Sequence, residues 1–149
     1  MRFLTAICAV LVVVGWGCTY QRPTNPQTYD VKIKVDKVNK KTKIARVVAF
    51  REDSIKFTAE AGPVTIIIPT GDFEVQKSPA ESSEATQDWI VLKLEDTESA
   101  VLSIPADFPD NRHDKTKKRE IWYLVICGTG ADAYPGEDES PPRIIIRPR

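Results

Sequence analysis

Histidine and methionine are nearly missing from this chain: there is one of each in 149 residues, and the methionine is the initiator. A metal or redox centre that draws on imidazole and thioether ligands has almost nothing to work with. Cysteine is scarce too, at Cys8, Cys18 and Cys127 only, which excludes a disulfide-dense scaffold. Neither charge sign dominates, with 21 Lys+Arg against 21 Asp+Glu, so composition gives no reason to expect nucleic acid as a partner. After Val14 no apolar run approaches the roughly 20 residues of a membrane-spanning helix. Amphipathic helical periodicity of ordinary length is also missing.

What is present starts at the N-terminus. Arg2 supplies a minimal basic region, Phe3 to Val14 is apolar except for Thr5, and Gly15-Trp16-Gly17 places small residues where a signal peptidase needs them. Residues 1–17 are therefore expected to be an export signal. Gly17-Cys18 resembles the lipobox of bacterial lipoproteins, although Gly15 stands where that family usually has Leu and Trp16 is bulky for its place. The resemblance implies cleavage before Cys18, a diacylglyceryl group on its sulfur, and a protein anchored to a membrane of the cell envelope. The alternative is an ordinary secretory site at Gly15 and Gly17, which leaves a soluble secreted or periplasmic protein. Either way the chain is exported. Loss of Arg2 leaves 20 Lys+Arg against 21 Asp+Glu. Cys8 leaves with the signal; Cys127 is then unpartnered if Cys18 is lipidated, and a Cys18–Cys127 disulfide is permitted if it is not.

Residues 18–28 read as the lipidated cysteine and a polar tether, with Pro23 and Pro26 favouring extended backbone. Residues 29–149 are enough for one domain with a real core and too few for two. Period-two patterning dominates there. Tyr29, Val31, Ile33 and Val35 alternate with Asp30, Lys32 and Lys34, and Ile55, Phe57 and Ala59 alternate with Ser54, Lys56 and Thr58. Ile44 to Phe50, Val64 to Ile68, Trp89 to Leu94, Ala100 to Ile104, Ile121 to Cys127 and Ile144 to Ile146 are further expected strands. Ile121 to Cys127 is apolar on both faces, which predicts a central strand between two packed layers. Many short strands separated by turn-like segments such as Gly62-Pro63 and Thr70-Gly71-Asp72 predict an all-β fold, a Greek-key sandwich of cupredoxin-like or immunoglobulin-like type.

The cupredoxin-like element of that expectation rests on particular residues. Asp53-Ser54-Ile55-Lys56-Phe57, Gly62 to Pro69, Phe73, the strand Tyr123 to Cys127 and the closing strand Arg143 to Arg147 together resemble cupredoxin-like domains. In blue-copper members the copper cysteine ends the penultimate strand, where Cys127 sits. The copper set does not carry over: such a site needs two imidazoles and usually an axial Met, the loop after Cys127 has neither, and His113 is the sole histidine. No metal or other cofactor is expected, and Cys127 reads as a buried structural thiol.

Loops at the sandwich ends are the candidate functional surfaces. Gln76 to Asp88 and Pro105 to Lys118 are expected at one end and Gly128 to Pro142 at the other, the last as a mobile connection. Asp110, His113 and Asp114, with Asp107 nearby, offer oxygen and nitrogen atoms for a ligand, without the spacing of a calcium loop; a solvated turn is the plainer reading. Lys115, Lys117, Lys118 and Arg119 form a basic run that suits a soluble strand edge. Trp89 and Trp122 could stack on sugars or aromatic ligands if exposed; within apolar strands both are expected in the core. No nucleophile-elbow or Cys/His signature surrounds any candidate nucleophile, so no catalytic residue is assigned. The expectation is a non-enzymatic envelope lipoprotein, held to the membrane by Cys18, serving as an interaction or structural module for an envelope protein or ligand. A metal- or small-ligand-binding exported protein using the loops around His113 is the alternative, and an envelope hydrolase the third.

Overall fold

Alternation between buried and wet positions sets most of the strands. A computed structural model describes residues 24–39, 42, 46–77, 83–110, 117–136 and 142–148. In chain order the strands are β1 (Thr28–Lys34), β2 (Val47–Phe50), β3 (Ser54–Glu60), β4 (Val64–Ile68), β5 (Glu74–Lys77), β6 (Ser83–Ala85), β7 (Ile90–Leu94), β8 (Ser99–Ser103), β9 (Arg119–Trp122), β10 (Leu124–Cys127), β11 (Tyr134–Pro135) and β12 (Arg143–Arg147). Ile44, the expected start of the second strand, lies outside the described residues. Val31 and Ile33 of β1 are buried while Lys32 and Lys34 face water, and β3 buries Ile55, Phe57 and Ala59. A 3-10 turn at Gly130–Asp132 is the only helical element among the described residues, and none of their helices is long and apolar enough to cross a membrane.

These strands form three sheets: four-stranded β1-β3-β8-β5, five-stranded β11-β10-β4-β7-β6, and three-stranded β2-β12-β9. Pairing is antiparallel except for β1 with β3 and β2 with β12. A parallel pair cannot be closed by a hairpin, so the chain leaves the first sheet after β1, runs through β2 in another sheet, and returns as β3. That crossing ties the layers together. One hydrophobic cluster draws side chains from all three sheets, and within it Phe57 of β3 meets Tyr123 edge-on, with ring centroids 5.7 Å apart at 71°. The protein is an all-β sandwich.

Several expectations need correction. Ile121 to Cys127 is not one strand buried on both faces: it breaks at Tyr123, where the chain passes from the three-stranded sheet (β9) to the five-stranded sheet (β10). The Tyr123 N–H donates to Pro142 O at 3.1 Å across that break. Tyr123, Val125 and Cys127 point into the core, but Trp122 and Leu124 remain 48% and 47% exposed. Trp89, also expected in the core, is 54% exposed. Among the described residues no second layer covers Leu124 on the outer face of the five-stranded sheet, nor Trp122 and Trp89 beside it. Gln76 to Asp88 is not a plain loop either: Lys77 in β5 pairs with Val101, and Ser83 to Ala85 pair with Leu92 to Ile90. Its polar sequence hides edge strands, which bury little on either face. Gly128 to Pro142 is built, as far as Gly136, from the 3-10 turn and β11, whose Tyr134 is 7% exposed.

Candidate functional site

Strand direction gives the sandwich two ends. The proximal end is where the N-terminal segment joins, at Gln27 and Thr28. Asp53 holds the junction: it is 1% exposed, its Oδ1 accepts the Gln27 N–H at 3.0 Å and its Oδ2 accepts the Phe50 N–H at 2.8 Å. Ser54 N donates to Gln27 O at 2.8 Å and Ile104 N to Asp53 O at 2.9 Å. An aspartate in a β-turn commonly bonds its own backbone; this one reaches 26 residues back as well. Gly71 seals the neighbouring turn, because a Cβ there would meet Thr86 O at 2.1 Å and Gln87 O at 2.7 Å.

Asp110 stands at this end, half-buried and ion-paired with Arg51. Its carboxylate is engaged by the protein's own guanidinium. His113 and Asp114, its expected companions, lie outside the described residues, as do Lys115 and the expected lipid-bearing Cys18. Of the basic run, Arg119 reaches Asp72 Oδ2 at 2.8 Å and Thr70 Oγ1 at 3.4 Å and sits 5.2 Å over the Phe108 ring, which meets Phe73 at 5.0 Å. Arg119 therefore braces the end of the sandwich instead of forming a free basic patch. Lys117, by contrast, is exposed.

A cleft of about 380 Å³ opens at the distal end, lined by Val35, Lys37, Pro63, Gly128, Thr129, Asp132 and Tyr134. Asp36 lies between the lining residues Val35 and Lys37 and ties the turn that follows. Its Oδ1 accepts the Val38 and Asn39 N–H groups at 3.0 Å each and its Oδ2 accepts the Asn39 side-chain amide at 2.8 Å. Those bonds, led by the Asn39 backbone, hold its carboxyl below the ordinary carboxylate value. Tyr134 Oη donates to Asp36 O at 2.9 Å, and burial, followed by nearby Cys127, pushes its hydroxyl up. Gly128, at φ +82°, makes the tight turn out of β10 that a residue with a Cβ would strain. The cleft has the volume of a small-molecule site, with a lysine, a carboxylate and a hydroxyl at its rim. Beside it, Cys127 is a free, fully buried thiol that donates to Thr42 Oγ1 at 3.5 Å. Among the described residues no three His, Cys, Asp or Glu side chains gather as a metal site.

The third surface is the outer face of the five-stranded sheet. Register aligns Leu124, Ile67, Val91 and Glu84 across four strands, and Ile126, Thr65 and Lys93 in the next row. Pro69 and Trp89, just past the Ile68↔Ile90 pair, are exposed, and so is Trp122, which stands opposite Arg143 in the three-stranded sheet. The Arg143 guanidinium lies 5.3 Å from the Trp122 ring centroid, and its Nη1 donates to Glu120 Oε1 at 2.6 Å. Apolar residues at both parities in Ile121 to Cys127, the sequence signal for this face, predict double burial, and the structure leaves one of the two faces exposed. No family model matches the chain, and no curated protein matches it significantly.

Proposed function

We propose that the chain is a non-enzymatic, lipid-anchored protein of the bacterial cell envelope, in which a cupredoxin-like sandwich without copper serves as an interaction module. The observation that carries the reading is the uncovered apolar face with Trp89, Trp122 and Leu124 each about half exposed. Contiguous apolar surface that a monomer leaves in water is commonly a binding surface. Anchoring through Cys18 follows from Gly17-Cys18 after the apolar run, and the buried Asp53 clamp at Gln27 supports it by fixing the end at which a tether would pull. From Cys18 to Gln27 the chain spans at most about 30 Å, so the proximal end would lie nearest the membrane and the outer sheet face would stand alongside it. The partner is an envelope component, with no role for nucleic acid.

Fatty-acid labelling tests the anchor. Native protein should carry label and fractionate with membranes, and Cys18→Ser should lose the label and become soluble. An unlabelled, soluble native protein would refute anchoring and leave the secretory reading. Small-ligand binding is a second reading; the distal cleft favours it over the loops around His113, since Arg51 already holds Asp110.

A further inference from the structure

We propose that β1 is a dimerisation edge, along which two copies of this chain pair strand to strand and join their four-stranded sheets into one. The inference goes beyond the interaction-module reading and uses a different surface. Among the described residues each of the three sheets ends in two strands, and β1, with seven residues, is the longest of these end strands.

The outer edge of β1 is open. In a parallel pair every second residue turns both its N–H and its C=O toward the neighbouring strand. The Val35 N–H donates to Glu60 O and Gln27 O accepts the Ser54 N–H, each at 2.8 Å, so the odd-numbered residues of β1 serve β3. Thr28, Asp30, Lys32 and Lys34 therefore point theirs outward. Thr42 Oγ1 closes the edge at Lys34 by donating to its carbonyl. At Asp30 and Lys32 neither the backbone N–H nor the C=O has a partner among the described residues, and both side chains are exposed. Unpaired donors and acceptors along an edge are a template for another strand.

Charge selects that strand. Two copies related by a two-fold axis at Val31 run antiparallel, and Asp30 of each exchanges both backbone bonds with Lys32 of the other. Each carboxylate then faces an ammonium on the exposed surface. The flanking strand extends the pattern: Lys56 lies beside Asp30 in β3, and Glu60 Oε1 lies 3.2 Å from Lys32 Nζ. Sliding one strand by two residues in either direction sets Asp30 against Asp30 or Lys32 against Lys32, and like charges directly opposite destabilise a strand pair. Charge thus admits one register. On the inner face that register lays Val31 against Val31 and Tyr29 against Ile33, all of them part of or packed on the core. Lysines on an edge commonly ward off pairing; here a second copy brings the counter-charge of Asp30. In such a dimer the two proximal ends point in opposite directions, so an anchored pair would lie with β1 along the membrane, whereas a single copy stands on its proximal end.

Sedimentation equilibrium of the full chain, in detergent matched in density to the solvent, tests this. The parent should sediment at the mass of two copies and fall to one on dilution. Asp30→Lys and Lys32→Asp each set like charges opposite one another and should weaken association roughly tenfold or more, while melting close to the parent because both positions are exposed. Mixed in equal amounts, the two variants place opposite charges across both pairs, and the dimer should return. Damage to either fold cannot produce that recovery. Where a charge variant folds poorly, Lys32→Pro, which removes an N–H that no bond in the fold uses, should by itself abolish the dimer. A parent that stays at the mass of one copy up to its solubility limit overturns the proposal. So does a dimer that all three variants leave intact, or a mixture of two folded charge variants that stays monomeric. A photo-crosslinker at Thr28 in cells names the occupant, and capture of a different protein in place of a second copy overturns the dimer. The interaction-module reading, which concerns the outer face of the five-stranded sheet, survives either result.

Discussion

On the inner face of the five-stranded sheet, Val125, Ile66 and Leu92 form one cross-strand row and all three are 0% exposed. One residue along each strand, Leu124, Ile67 and Val91 form an equally well registered row on the outer face, ending in a leucine that is 47% exposed. The chemistry of the rows is nearly identical, and among the described residues only the inner one has another layer packed on it. Apolar character therefore shows what a strand could bury, while tertiary packing decides what it does bury.

Substitutions that shorten the same kind of side chain on the two faces sharpen this contrast. Leu92→Ala opens a cavity in the shared core and should cost about 2–5 kcal/mol in denaturant unfolding, a large share of the roughly 5–15 kcal/mol that holds a domain of this kind together. Tyr123 also points into the core, and its buried hydroxyl has no hydrogen-bond partner among the described residues. Tyr123→Phe should raise stability by about 1–2 kcal/mol. Burial also pushes the Tyr123 pKa well above its ordinary value of 10.0. Below pH 10 the neutral phenol prevails in both states; above it the unfolded chain releases the proton first, so stability falls as pH rises. Tyr123→Phe should flatten that alkaline decline, and an unchanged slope would mean that the hydroxyl is hydrated in the fold. The smallest effect belongs to the outer face, where Leu124→Ala should cost about 1 kcal/mol or less. A cost matching that of Leu92→Ala would show that something covers this face.

Much of the fold was legible in the sequence. Tyr29 to Val35 and Ser54 to Ala59 alternate cleanly because each has one wet face, and β4, β7, β8 and β12 fall within a residue or so of their apolar runs. Misreadings arose where one pattern fits two environments. Tyr123 to Cys127 is apolar at every position, and neither composition nor period distinguishes a second packed layer from open water. The break at Tyr123 escaped notice because the backbone continues extended while its partners change. β5 and β6 carry polar side chains at sheet edges, where propensity says little. The sites were less legible still. Arg51-Glu52-Asp53 reads correctly as a turn, yet nothing local says that Asp53 clamps Gln27 or that Arg51 meets Asp110. The distal cleft gathers Lys37, Pro63 and the pair Asp132 and Tyr134 from three segments far apart in sequence, a juxtaposition that exists only after folding.

The central claim is that Trp89 and Trp122 stand uncovered on the sandwich surface, and native-state fluorescence tests it directly. With Trp16→Phe removing the third indole of the chain, the folded protein should emit as a hydrated indole does and be quenched efficiently by acrylamide, with little further red shift on unfolding. Blue-shifted emission resistant to acrylamide until the chain unfolds would put Trp89 and Trp122 in a core and contradict the account.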